Sequence, residues 1–199
     1  MPTGVHLRDV RKQLFDAAER VLLRDGPSGL TSRAVTAEAD VAKGVLHRHF
    51  ADFDAFLAEL VTDRIARVSD QGALLRAAAG TRTVAANLVD ALAEVFDPVA
   101  LALTSLVFFR DELRARVRGR GEGLPLLAEA REMLAGYLAE ERALGRIAAD
   151  ADVESLGLSL VGAGHLVFAG RRRGTRPSGE ELTKVVTTIT ADVVQRRLL

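Results

Sequence analysis

Two short helical patterns that meet at a tight three-residue turn occupy residues 30–50, LTSRAVTAEADVAKGVLHRHF. Thr31 is a good N-cap for the first pattern, because its hydroxyl can accept a hydrogen bond from an amide of the first helical turn. Leu46 and Phe50 are four residues apart and form the buried face of the second pattern, over 42–50. The stretch therefore predicts a helix–turn–helix.

The second pattern carries basic and polar residues on a face that burial does not need. Lys43 and His47 form an i, i+4 pair, with Arg48 beside them. Gly44 costs roughly 1 kcal/mol relative to Ala inside a helix, which is easier to explain if a partner must approach the backbone. Such a helix fits the major groove of DNA, where Lys and Arg neutralise phosphates. The alternative is an ordinary solvated helix face.

The candidate DNA contacts lie on the second pattern, at the start of the first pattern and near the turn between them. They are Thr31, Ser32, Arg33, Ala42, Lys43, Gly44, Val45, His47, Arg48 and His49.

Composition limits the other functions that the chain could have. It has 199 residues with 27 basic and 27 acidic side chains, so DNA binding must come from local placement rather than from net charge. The absence of Cys excludes disulfides, and an aromatic content of 5% argues against a stacking platform for single strands. We find no signal core and no membrane-length apolar run, so we expect a cytoplasmic protein without a membrane partner.

Almost the whole chain has helical periodicity, which predicts an all-α fold. The predicted helices are 7–24, 32–39, 42–50, one from 52 or 54 to about 69, 84–96, 99–118, 124–142, 153–171 and 181–199. The predicted breaks are Asp25-Gly26-Pro27, a loose region over 71–83 whose Ala-rich part could still be helical, Gly119–Gly123, Gly145 and the run RRRGTRPSG.

Residues 8 to about 65 resemble the N-terminal domain of the TetR family of bacterial transcriptional regulators. The resemblance rests on AAERVLLRDG and on LTSRAVTAEADVAKGVLHRHFADFDAFL. The residues that fit the family pattern are Thr31, Arg33, Val35, Ala39, Val41, Lys43, Gly44, Leu46, His49 and Phe50. The resemblance implies an N-terminal three-helix DNA-binding domain over 1–52, a connecting helix from about 52 to 69, and a larger helical ligand-binding and dimerisation domain over 70–199.

Several positions depart from the family pattern. Asp40 stands where the turn usually has Gly, although Asp tolerates left-handed dihedrals better than most residues. Ala42 and Val45 replace hydroxyl residues, His47 replaces a Tyr, and Phe53 stands where a phosphate-binding Lys is common. These departures motivate an alternative function, a helical small-molecule binding module with weak or no specific recognition of DNA.

The resemblance implies a ligand-responsive repressor that binds double-stranded DNA at a palindromic operator as a homodimer and is released by a small apolar molecule. Ordinary core packing is the alternative for every ligand or dimer residue. The candidate ligand-binding residues are Asn87, Phe96, Thr104, Phe108, Phe109, Met133, Tyr137, His165 and Phe168. The candidate dimer-interface residues are Leu156, Leu160, Gly164, Val167, Leu182, Val185, Val186, Ile189 and Val193.

Enzymatic motifs are missing from the sequence. It contains no GxSxG, no phosphate-binding Gly loop with Lys-Ser/Thr, and no HExxH. His47 and His49 lack an acidic or sulfur partner at useful spacing, so we expect neither a metal site nor a cofactor beyond the unidentified effector.

Overall fold

The computed structural model describes residues 4–117, 124–171 and 177–195, and the predicted loop Gly119–Gly123 lies outside these ranges. Within them the chain forms ten helices and no strand, which confirms the all-α fold. The helices are α1 (Gly4–Gly29), α2 (Ser32–Glu38), α3 (Gly44–His49), α4 (Phe53–Ala77), α5 (Val84–Val95), α6 (Pro98–Phe109), α7 (Asp111–Val117), α8 (Pro125–Ala143), α9 (Val153–Ala169) and α10 (Gly179–Gln195).

The helices are distributed over two compact units. The first comprises Met1–Asp63 and Ala102–Gly121, and the second comprises Arg64–Leu101 and Glu122–Leu199. The first unit therefore holds the helix–turn–helix together with a segment that lies about forty residues further along the chain.

Glycine ends or breaks helices where the sequence predicts it. Gly26 has φ 74° and interrupts α1, with Pro27 directly after it. Gly145 has φ 68° and follows the end of α8. Both φ angles lie in the left-handed region, which residues with a Cβ rarely adopt.

The predicted helix over 99–118 is two helices, α6 and α7, separated at Arg110. Asp111 and Glu112 lie in the first turn of α7, where acidic side chains favour a new helix N-terminus. Arg114 donates to the carbonyl of Phe108, 3.2 Å away, and so satisfies a backbone acceptor at the end of α6.

The opposite correction applies to α4, which continues through most of the region predicted to be loose. Leu75 is 8% exposed, and a Cβ on Gly72 would lie 3.1 Å from Cγ of Met133. This packing within the second unit favours helix as far as Ala77, so the Ala-rich part is helical only at its start and continues as a turn over 78–80.

The core of the second unit consists of apolar side chains from α4, α5, α8, α9 and α10. A Cβ on Gly157 would lie 3.0 Å from the Arg131 carbonyl oxygen, so this glycine lets α9 approach the α8 backbone. The amide of Ala148 donates to the carbonyl of Val193, 2.8 Å away, and fastens α10 to the connection between α8 and α9.

No single helix in the described ranges is both long and apolar enough to cross a membrane. The pair α5 and α6 passes the same test of length and composition only when taken together, with a bend of 61°.

Candidate nucleic-acid interface

The short helix α3 presents one face to solvent and buries the other. Leu46 is fully buried and Phe50, which ends the helix, is 4% exposed. The exposed candidate contacts are Ala42, Lys43, Gly44, His47 and Arg48, while Val45 and His49 are half-buried. The structure therefore brings the predicted basic residues together on the solvent side of one helix.

Gly44 begins α3, and nothing in the first unit requires a glycine there. A Cβ built at this position meets no atom within 4 Å. Its φ also lies outside the left-handed region. The space over Gly44 is consequently open to a partner that must come close to the helix backbone.

The turn before α3 has the geometry that Asp40 was expected to provide. Asp40 has φ 52°, in the left-handed region. The Gln13 side chain of α1 donates to the Ala39 carbonyl, 2.7 Å away, and Val41 donates to the Thr36 carbonyl at 3.0 Å. The turn is thus held by hydrogen bonds from both α1 and α2.

Arg11 of α1 holds the other end of α3. Its guanidinium donates to the His49 carbonyl at 3.2 Å and lies 4.5 Å from the centre of the Phe50 ring. The same side chain forms an ion pair with Glu59 of α4. One residue therefore connects α1, α3 and α4.

Four phenylalanines anchor the buried side of the motif. The Phe50 ring lies 5.9 Å from Phe15 and 5.0 Å from Phe56, in an edge-on arrangement with the latter. Phe53 stacks on Phe56, with ring centres 5.6 Å apart. Phe53 is thus part of an aromatic cluster, which accounts for an apolar residue at this position.

The predicted contacts at the start of α2 differ in what their side chains do. The hydroxyl oxygen of Thr31 accepts from the Ala34 amide at 3.1 Å, so the predicted N-cap is formed. The Ser32 hydroxyl is covered and has no hydrogen-bond partner among the described residues. Arg33 is exposed.

Glu38 of α2 is matched by two arginines of α1. Arg24 donates to one carboxylate oxygen at 2.6 Å and Arg20 to the other at 2.7 Å. The hydrogen bonds from Arg24 and then Arg20 hold the pKa of the Glu38 carboxyl below its usual range. Sequence reasoning missed Arg11, Arg20 and Arg24, because their partners come from other helices.

Two of the predicted ligand residues belong to a buried polar network in the second unit. Asn87 donates to the Tyr137 hydroxyl at 3.0 Å and to the Ala78 carbonyl at 3.3 Å. Tyr137 donates at 2.5 Å to Glu141, which is fully buried. Burial, followed by the bond to Glu141, raises the pKa of Tyr137 well above its usual range. Asn87 and Tyr137 are thus paired within this network, while Oε2 of Glu141 accepts no hydrogen bond from the described residues.

The remaining predicted ligand residues do not share one site. Phe96, His165 and Phe168 lie together, with the Phe96 ring 5.9 Å from His165 and 5.7 Å from Phe168. Burial lowers the pKa of His165. Met133 is buried in the same unit. Thr104, Phe108 and Phe109 belong to the first unit, where Thr104 is buried and both phenylalanines are exposed.

A cavity of about 360 Å³ opens in the second unit, between the start of α5 and the later part of α10. It is lined by Thr83, Val84, Ala85, Arg146, Thr187, Thr190, Ala191 and Val194, and by none of the predicted ligand residues. The Arg146 guanidinium lies 3.3 Å from the Glu141 carboxylate, which offsets its charge.

Five of the predicted dimer residues are buried inside their own chain, so their side chains do not form an outer surface. They are Leu160, Gly164, Leu182, Val186 and Val193. A Cβ on Gly164 would lie 2.8 Å from the Phe96 ring, which shows that this face of α9 packs against α5. The other four, Leu156, Val167, Val185 and Ile189, are half-buried. The outward apolar residues of α9 are Leu158 and Leu166.

Across the described residues, no group of three or more His, Asp or Glu side chains has an arrangement that could hold a metal ion.

Comparison with known proteins gives one domain match and a shared overall fold. Residues 14–60 match the family model described as bacterial regulatory proteins, tetR family. The HTH-type transcriptional regulator PksA of Bacillus subtilis (strain 168) is 36% identical over 72 residues, which cover 33% of this chain and 35% of PksA. The chain therefore matches about a third of the length of this curated relative.

Two solved structures show that the similarity of fold covers nearly the whole chain. A protein from Mesorhizobium loti MAFF303099, described as a TetR-family transcriptional regulator, has a TM-score of 0.68 at 16% identity and covers 96% of this chain and 97% of its own. The transcriptional regulator FadR from Bacillus subtilis, in complex with stearoyl-CoA, has a TM-score of 0.66 at 17% identity and covers 92% and 98%. Residues 14–60 therefore carry a domain of the tetR family type, and the likeness to these two structures extends to the fold of nearly the whole chain.

We predict that Gly44→Ala leaves the free protein as stable as the wild type or stabilises it by up to about 1 kcal/mol, because the new Cβ meets nothing and alanine favours helix. Urea unfolding monitored by circular dichroism measures this. Leu46→Ala is the contrasting variant and should cost about 2–5 kcal/mol, since Leu46 is fully buried. A marked loss of stability in Gly44→Ala would contradict the open surface described above.

Proposed function

We propose that the chain is a ligand-responsive transcriptional repressor that recognises a specific DNA sequence through α3. The observation that carries the proposal is the solvent face of α3, where Lys43, His47 and Arg48 surround an open glycine backbone. Basic side chains on such a face supply phosphate contacts, and Arg48 has the donors to read a guanine edge. Gly44 allows the helix to sit deep in a major groove.

The other candidate contacts have smaller parts in this proposal. Val45 and Ala42 can touch thymine methyl groups, and His47 and His49 can donate to phosphates or base edges. Arg33, exposed on α2, can neutralise a further phosphate. Thr31 acts through its N-cap bond, which orients the first turn of α2, and the covered Ser32 hydroxyl would need to rotate to reach DNA.

We predict that Lys43→Ala and Arg48→Ala each weaken binding to DNA from upstream of the protein's own gene, without changing the fold. Each lost phosphate contact should also lower the slope of log K against log salt by about 0.9. Fluorescence anisotropy over a salt series measures both effects. Lys184→Ala, an exposed lysine of α10 in the second unit, is the matched control. Unchanged affinity in both α3 variants would contradict the assignment of these contacts.

The alternative is a helical small-molecule binding module without specific recognition of DNA. The exposed Ala42 and the half-buried Val45 and Phe53 favour it, since none of these side chains can bond to phosphate or to polar base atoms. The same salt series separates the two functions. A specific regulator retains a preference for its own site at moderate salt, whereas a module with only basic charges loses all binding as salt rises.

We propose that the protein acts in the cytoplasm, as a homodimer bound to a palindromic operator. Two-fold symmetry in the protein matches two-fold symmetry in the site, with half-sites one helical turn apart. Leu158 and Leu166 of α9 are 61% and 76% exposed, and a Cβ on Gly162 between them meets no atom within 4 Å. This stripe gives a second copy a flat apolar surface, beside the half-buried Leu156 and Val167.

We predict that Leu158→Arg and Leu166→Arg convert the dimer into a folded monomer, because a charge on each exposed position opposes apolar association. Light scattering coupled to size-exclusion chromatography measures the mass. Leu74→Arg, at a leucine of α4 that is 73% exposed, controls for the loss of any surface leucine. A dimer that survives both α9 substitutions, or a wild-type monomer, would rule out this interface.

We propose that a small apolar molecule bound in the second unit releases the protein from DNA. The cavity beside α10 provides space and an apolar lining from Val84, Ala85, Ala191 and Val194. The bound stearoyl-CoA of FadR, which shares this fold, makes apolar chains a reasonable class to test first. A dimer that covers promoter DNA excludes polymerase without any further contact, which favours repression.

We predict that a screen of small apolar molecules will find a compound that raises the thermal unfolding midpoint of the protein. The same compound should weaken DNA binding. A ligand that binds only the folded state stabilises it. Ala191→Phe, which fills the cavity, should remove the thermal shift while leaving DNA binding in place. Compounds that stabilise the protein without affecting DNA affinity would argue against ligand-controlled repression.

A further inference from the structure

The helix–turn–helix and the four residues that follow it together contain more acidic than basic side chains. Residues 30–54 carry Arg33, Lys43 and Arg48 against four Asp and Glu side chains, so the stretch alone is net negative. A net negative charge repels DNA phosphates, so DNA binding requires that basic side chains from elsewhere in the chain offset these carboxylates. The two arginines of α1 that bind Glu38 provide part of this correction.

Asp52, which directly precedes α4, is matched by an arginine from α7. The two guanidinium Nη atoms of Arg116 lie 3.0 and 3.1 Å from the two carboxylate oxygens of Asp52. The Ala55 amide donates to the same carboxylate at 2.6 Å, and this bond, followed by Arg116, lowers the pKa of Asp52. Asp52 is therefore ionised at neutral pH, two residues beyond Phe50, which ends α3.

A second ion pair involves the aspartate two residues further along the chain. Arg110, which lies between α6 and α7, is 3.5 Å from the carboxylate of Asp54 in the first turn of α4. Both arginines belong to the first unit, although they are 56 and 64 residues from their partners along the chain. All four side chains are between about a third and a half exposed, so the pairs lie at the surface.

We infer that Arg116 and Arg110 are electrostatic components of the DNA-binding surface. They cancel the charges of Asp52 and Asp54 directly after the recognition helix, so that the potential set by Lys43 and Arg48 attracts phosphates. Exposed ion pairs add little to stability, whereas their charges act on a phosphate within a Debye length. The inference rests on the proposed DNA-binding function and extends the interface to residues far beyond the helix–turn–helix.

Removal of the charge from either partner of the Arg116–Asp52 pair tests the inference. DNA affinity is measured by fluorescence anisotropy from about 50 to 200 mM salt, the range over which phosphate contacts dominate. Two probes are used, a duplex from upstream of the protein's own gene and a random-sequence duplex of equal length. Arg116→Ala should weaken binding to both probes roughly three- to tenfold at low salt, because Asp52 is left uncompensated. Asp52→Asn should tighten binding to both, since asparagine keeps the N-cap but removes the charge.

The double variant separates charge from packing. Asp52→Asn with Arg116→Ala should bind both probes nearly as tightly as the wild type. Arg114→Ala is the control from the same helix, since Arg114 pairs with Asp111 of α7 itself, and its affinity should not change. Thermal unfolding midpoints should differ little among the wild type and the Asp52 and Arg116 variants, because this pair is exposed.

The inference is overturned if Arg116→Ala binds as Arg114→Ala does, or if the double variant stays as weak as Arg116→Ala. If the wild-type protein binds both probes equally, the proposed sequence-specific function is wrong. The effect of the charge variants on binding to the random probe then still tests the inference. A wild-type protein that binds neither probe overturns both.

Discussion

The burial of one face of α3 is the constraint on which the rest of the interface depends. A helix of six residues is far shorter than the roughly 12–15 residues at which isolated helices become even marginally stable in water. Leu46 is fully buried, and Phe50 packs against Phe15 and edge-on to Phe56. These contacts fix both the helicity and the rotation of α3. The exposure of Lys43 and its neighbours follows from that rotation.

Polar contacts hold the ends of α3, where apolar packing cannot define an exact position. Arg11 donates to the carbonyl of His49 and lies over the Phe50 ring, while Gln13 donates to the carbonyl of Ala39 before the turn. Both residues lie on α1, two positions apart. A substitution that disturbs this part of α1 would thus move the recognition helix without touching DNA. In their proposed role, Arg116 and Arg110 also act on α3 from distant parts of the sequence, but through their charge rather than through contacts that position the helix.

Local signals in the sequence predicted the features that depend on a few neighbouring residues. The N-cap at Thr31 and the breaks at Gly26 and Gly145 are formed as predicted, because backbone geometry and short-range hydrogen bonds decide them. The solvent face of α3 was also predictable, since polar and apolar residues separate cleanly around it. The division of 99–118 was not, because it depends on how Arg114 and Asp111 complete the helix ends.

The interior and exterior faces of α9 could not be distinguished from the sequence. This helix is apolar around most of its circumference, so Leu160 and Leu158 look equivalent, yet Leu160 is fully buried and Leu158 is 61% exposed. The choice is made by the Phe96 ring, which packs where a Cβ on Gly164 would lie. The predicted ligand residues divide between two units, since an apolar pattern shows neither which unit a side chain joins nor that Phe108 and Phe109 are exposed.

Selection of binding sites from a pool of random-sequence DNA by the full chain is the most direct measurement of the central claim, that α3 reads a specific sequence in a two-fold arrangement. We predict enrichment of a palindrome whose half-sites are about 34–36 Å apart along the duplex, with protection of successive major grooves in footprinting. No enrichment over the starting pool at moderate salt would contradict the claim.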